Sequence, residues 1–194
     1  MDDEELVARV RAGDFEAAST LLSRYQDVAF TTALRLVGEA DAEDIAQEAL
    51  VRAYTRLDDL DEKASFEAWL RRITVNLSLN ALRRRGLLQF QSLDAKSASR
   101  EAKSVADVAG LQPTAEDEAL GSVFRDELDV LIQKLPIEQR VAVVLRDMYG
   151  YEFAEVAELQ RCGLSAAKMR VRRGRDRLRS LLTEAHALSD RSSE

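Results

Sequence analysis

Seven cations fall on one short stretch: Lys168, Arg170, Arg172, Arg173, Arg175, Arg177 and Arg179, set against one acid, Asp176. Massed on one helix, side chains of this type suit binding to a polyanion. They grip phosphates, and in a DNA groove they hydrogen-bond the edges of bases. Other uses of a basic amphipathic helix stay open: a solvated face, a membrane-surface helix or a calmodulin-type target. A second basic stretch, Arg71, Arg72, Arg83, Arg84 and Arg85, is interleaved with Asn76 and Asn80, and no acid lies between Glu67 and Asp94. Asparagine is a mediocre helix former, so two of them in mid-helix call for a reason beyond propensity. Amides offered to base edges supply one; the plainer alternative is an ordinary basic face. A third set is acidic and amidic. Asp44, Gln47, Glu48 and Thr55 recur at spacings of three and four, with Val51 among them. An apolar residue inside a polar stripe suggests a contact surface.

Catalytic or metal chemistry has little support. The one cysteine, Cys162, excludes an internal disulfide, fits a reducing cytoplasm and reads as a small buried residue in a turn. The one histidine, His186, has no partner cluster for a metal, and no Gly-rich phosphate loop is visible. No enzyme activity and no cofactor are expected. The N-terminus is acidic without an apolar core, so no signal peptide is read, and no apolar run approaches a membrane span.

The elements that must position these residues are helical. The 194 residues include only two prolines and eight glycines, and β-branched residues never alternate over a strand's length. The fold class expected is all-α, in two helical domains. Helices are expected at Glu4 to Ala12, at Asp14 to Val37 with Phe15 on its apolar stripe, and from Asp41 or Ala42 to Leu57 with Tyr54 turned inward. Another runs from a Ser65 cap with Phe66, Trp69, Leu70, Ile73, Leu77 and Leu82 inside. From Gln89 to Gln112 small polar residues dominate, which reads as a linker with at most a weak helical turn between Ser99 and Val108. Thr114 caps a further helix with Glu116, Asp117 and Glu118 in its first turn, and Ile137 to Met148 is apolar enough to be buried. Tyr151 to Gln160 and the basic stretch then form a helix-turn-helix. Gly163 is expected in the left-handed conformation, Ser165 as the second helix's N-cap, and 189–194 as a disordered tail. The net charge of −7 opposes a nucleic-acid binder taken whole. Its distribution does not: two basic helices in an acidic chain suggest two local contacts with a polyanion and an acidic surface for something else.

Three stretches in this order resemble a bacterial RNA polymerase sigma factor of the small, two-domain, extracytoplasmic-function group. DAEDIAQEALVRAY, Asp41 to Tyr54, resembles the segment that binds the polymerase clamp helices. SFEAWLRRITVNLSLNALRRR, Ser65 to Arg85, resembles the segment that melts and reads the −10 element. Leu135 to Arg179 resembles the domain that reads the −35 element. The chain departs from the family in its turn, Arg161-Cys162-Gly163, and in Ser165-Ala166-Ala167 opening the second helix.

The resemblance implies an N-terminal domain at 1–90, a linker at 91–113, a helix-turn-helix domain at 114–188 and a tail at 189–194. It implies core polymerase contacts by Asp44, Gln47, Glu48 and Val51. It puts Asn80 at a flipped base of the non-template strand, where captured binding energy offsets unpairing. Arg72, Asn76, Arg83 and Arg84 would flank that strand. Ser165, Lys168, Met169, Arg170 and Arg173 would meet the −35 DNA, with Arg175 and Arg177 as phosphate or structural contacts. The partners implied are core RNA polymerase, promoter DNA and an anti-sigma factor, in the cytoplasm and without membrane insertion. The alternative is a free-standing helix-turn-helix regulator with an N-terminal sensing or dimerisation domain.

Overall fold

A computed structural model describes residues 2–61, 64–88 and 127–192, and every regular element among them is helical. The expected linker, the turn between Ser99 and Val108 and the helix opening at Thr114 lie outside the described residues. The chain divides into two compact units between Leu87 and Leu88.

The N-terminal unit is four helices and one short turn. α1 (Asp3–Arg11) starts at Asp2, whose carboxylate accepts the Glu5 amide at 2.8 Å. α2 (Phe15–Val37) starts at Asp14, which accepts the Glu16 and Ala17 amides. The other oxygen of Asp14 takes two donors from Arg9, so one carboxylate caps α2 and ties α1 to it. α3 (Glu39–Thr55) follows directly from Gly38, whose φ of 88° lets the chain turn between two long helices. A 3-10 turn (Leu57–Asp59) then leads to α4 (Phe66–Arg84), capped by Ser65 as expected.

α2 packs on α3 and α4, and α1 covers one end. Ala29, Ala33, Ala42, Ala46, Ala49 and Ala53 are buried, so α2 and α3 contribute small side chains to the core and approach closely. Leu6, Leu21, Leu36, Leu70, Leu79 and Leu82 fill the remaining volume, and burying each such side chain contributes about 1.5–3 kcal/mol. Trp69 is half-buried against Phe66, with ring centroids 6.1 Å apart, as a core residue rather than a free stacking platform. Two expectations fail here. Phe15 is 78% exposed, because as the first residue of α2 it lies beyond the reach of the bundle's interior. Tyr54 is 47% exposed, on the same side of α3 as Val51 rather than with Ala53 and Leu57.

In the C-terminal unit, α5 (127–133) leads through Pro136 into α6 (Ile137–Val143). α6 widens into a π turn (Val144–Met148), where the Tyr149 amide reaches back five residues to the Val144 carbonyl. α7 (Phe153–Leu159) and α8 (Leu164–Ser192) form the helix-turn-helix. α8 begins two residues earlier than a Ser165 cap would place it and continues to Ser192, through most of the stretch read as a disordered tail. α6 and α8 cross at Gly174: a Cβ there would lie 2.5 Å from Val143 Cγ2 and 3.2 Å from the Gln139 carbonyl.

Candidate nucleic-acid interface

The turn between α7 and α8 sets where the basic helix points. Its left-handed residue is Arg161, with φ of 49°, and not Gly163. The Arg161 amide bonds the Glu158 carbonyl and the Cys162 amide bonds the Ala157 carbonyl. That pairing closes α7 by the Schellman pattern, and the pattern fixes the left-handed position by its distance from the helix end, whichever residue stands there. Gly163 instead accepts the Ala167 amide at the entry to α8. Ser165 therefore sits inside the first turn and not at the N-cap. Burial pushes the pKa of the half-buried Cys162 thiol up, so it is a packing residue of the turn.

On α8, Ala167, Val171, Gly174 and Leu178 face the unit's interior. Ser165, Lys168, Met169 and Arg173 are exposed. Arg172 is exposed too, three residues after Met169 and four after Lys168, in the middle of the outward face. The family resemblance assigns Arg172 no contact, although its spacing of three and four from Met169 and Lys168 puts it beside them.

Arg170 is corrected. Expected on the outward face, it is 8% exposed and directed inward. Its guanidinium donates to Gln160 Oε1 at 2.9 Å and pairs with Glu138 Oε1 at 2.9 Å. A buried guanidinium needs such partners, and α6 and α7 supply them at that point. Arg175 is also committed, to both Asp147 oxygens at the end of the π turn. Arg146 lies over the Phe153 ring at 4.7 Å and donates to the Tyr151 carbonyl, and the Lys168 ammonium lies 5.9 Å from the centroid of the same ring.

In the N-terminal unit, Asn76, Asn80 and Arg84 are exposed along one side of α4, with Arg72 and Arg83 half-buried beside them. Arg83 Nη1 donates to Asn80 Oδ1 at 2.7 Å, which holds the exposed Asn80 amide through its oxygen. Thr74 and Ser78 are buried and donate to the Leu70 and Thr74 carbonyls, so these two inward hydroxyls are satisfied within α4 itself. Asp44, Gln47, Glu48 and Val51 are all exposed on α3, Val51 at 61%. An open groove between α3 and α4 is lined by Asp44, Glu48 and Arg84, and Arg85 pairs with Asp41 at its edge. Among the described residues no His, Cys, Asp and Glu cluster suits a metal ion, and no helix is long and apolar enough to cross a membrane.

Two family models match the chain: sigma-70 region 2 over residues 21–87, and sigma-70 region 4 over residues 125–178. The ECF RNA polymerase sigma factor SigW of Bacillus subtilis is 32% identical, covering 92% of this chain and 95% of that protein. The ECF RNA polymerase sigma-E factor of Escherichia coli is 31% identical, covering 91% and 92%. Among solved structures, the sigma factor RpoE of Bartonella quintana, in complex with the anti-sigma factor NepR, is 24% identical with a TM-score of 0.50. It covers 85% of this chain and 96% of that one, and the likeness is one of fold.

Proposed function

The chain belongs to the extracytoplasmic-function group of sigma-70 RNA polymerase sigma factors, which direct transcription initiation, and on that premise we propose how its surfaces divide the task. The exposed face of α3, with Asp44, Gln47, Glu48 and Val51, binds core polymerase. Carboxylates steer the approach, and Val51 with Tyr54 gives the contact an apolar centre. The outward side of α4 takes the non-template strand at the −10 element. Asn80, held by Arg83, meets a flipped base there, while Arg72, Asn76 and Arg84 flank the strand.

α8 enters the major groove at the −35 element. Ser165, Lys168, Met169 and Arg173 face the bases and phosphates, with Arg172 added and Arg170 withdrawn. Domains at 1–90 and 114–188, joined by a linker at 91–113, carry the two tasks. The protein has no catalysis of its own; polymerase supplies the chemistry. It acts in the cytoplasm, and an anti-sigma partner holds it inactive.

The observation that carries this reading is the separation of signs. Exposed cations outnumber exposed acids on α4 and α8, and on α3 exposed acids outnumber its exposed cation, Arg52. Run-off transcription with purified bacterial core polymerase over a randomised promoter library tests it. Enrichment of two spaced elements, dependent on this protein, is the expected result. A free-standing regulator would instead select DNA tightly with no polymerase present and leave run-off products unchanged.

A further inference from the structure

α8 carries arginines on nearly every side, so its sequence does not say which side faces DNA. Arg170 is the one that two other elements, α6 and α7, bind at a single point. Glu138 stands in the first turn of α6 and Gln160 at the C-terminal end of α7. Arg170 Nη1 meets Gln160 Oε1, and Nη2 meets Glu138 Oε1, each at 2.9 Å. Gln160, itself 3% exposed, donates through Nε2 to the Glu138 backbone carbonyl at 2.9 Å. The triangle is closed and faces away from the exposed side of α8. One turn further along, Gly174 allows α8 to lie against Gln139 and Val143 of α6. The first contact sets the rotation of α8 about its axis, and the second sets its distance from α6.

We propose that the Glu138–Gln160–Arg170 triangle is a positioning device for promoter reading. By engaging Arg170 from inside, it fixes the rotation that presents Lys168, Met169 and Arg172 outward. This rests on α8 being the promoter-reading helix. Any other rotation would leave the buried Gln160 Oε1 and a guanidinium without these partners, which is costly, so the register is held firmly.

The test is transcription with purified core polymerase from promoters with matched and scrambled −35 elements, using Arg170→Met, Glu138→Gln and the double variant. Salt dependence of promoter binding is measured alongside. Each single variant is expected to lower the matched-to-scrambled ratio by about tenfold, the discrimination carried by one good base contact. The double variant is expected to lose no more than either single, because both break one device. The salt slope is expected to stay at the wild-type value.

Glu138→Gln is nearly isosteric, so it decides the matter even where Arg170→Met fails to fold. Removing a negative charge would raise DNA affinity by simple electrostatics, whereas the device predicts lost discrimination. A wild-type ratio in Glu138→Gln overturns the proposal. So does a salt slope reduced by about one in Arg170→Met, the mark of a lost phosphate contact. A wild-type protein that does not distinguish matched from scrambled elements would overturn the reading of α8 itself.

Discussion

Individual side chains here have sharply different fates within one residue type. Arg170 is buried and paired, Arg175 is clamped to Asp147, and Arg172 stands free on the outward face of α8. Lys168→Ala with Arg172→Ala should therefore cut −35 discrimination roughly ten- to a hundredfold while sparing core polymerase binding. A matched-to-scrambled transcription ratio, set beside a core pull-down, checks both halves. Asp14 offers a prediction about stability. Its carboxyl is held below the usual carboxylate range, first by the Ala17 amide and then by Arg9. A carboxyl lowered in the folded state stabilises it above the unfolded-state pKa, and that contribution is lost as pH falls through the folded value. Asp14→Asn keeps a capping oxygen and removes the charge. It should lower the melting temperature at neutral pH, and the gap from wild type should close in acid; thermal unfolding across a pH series measures this.

At the scale of elements, the helix-turn-helix is held by close approach and by a turn that uses an unfavoured residue. Arg161 occupies a left-handed position that glycine fills at less cost, because the Schellman closure of α7 requires that conformation there. Gly174 is the other constrained position. Gly174→Ala gains up to about 1 kcal/mol of helix propensity and places a methyl group against Val143 and Gln139. Overpacking of that kind costs about 1–3 kcal/mol, so a net loss of roughly 1 kcal/mol or more is expected in denaturant unfolding. α3 depends on its exposed face in a different way. Glu48 pairs with Arg52 one turn along at an exposed site, where such a pair contributes little to stability. Glu48→Lys should therefore leave helicity intact and weaken core polymerase binding, and unchanged affinity in a pull-down would remove α3 from the interface.

For the whole molecule, the balance of charge decides behaviour in solution. A net charge of −7 opposes DNA binding by the free protein, while exposed cations and amides on α4 and α8 favour it locally. In a gel-shift assay the protein alone should retain promoter DNA poorly, and adding core polymerase should produce a salt-sensitive complex. The sequence by itself determined the helical class, the order of the three characteristic stretches and the exposure of Asp44, Glu48, Val51, Asn76 and Asn80. Those features are local: periodicity, capping residues and short motifs do not need distant partners to be read. Tertiary structure decided the rest. It put Arg161 rather than Gly163 in the left-handed position, turned Tyr54 out and took Arg170 from the exposed face of α8. Cations spread around α8 leave its basic residues with no single preferred side. The side that faces out is chosen by Glu138, Gln160 and Val143, acceptors and packing surface that lie on other helices and meet α8 only when the chain has folded.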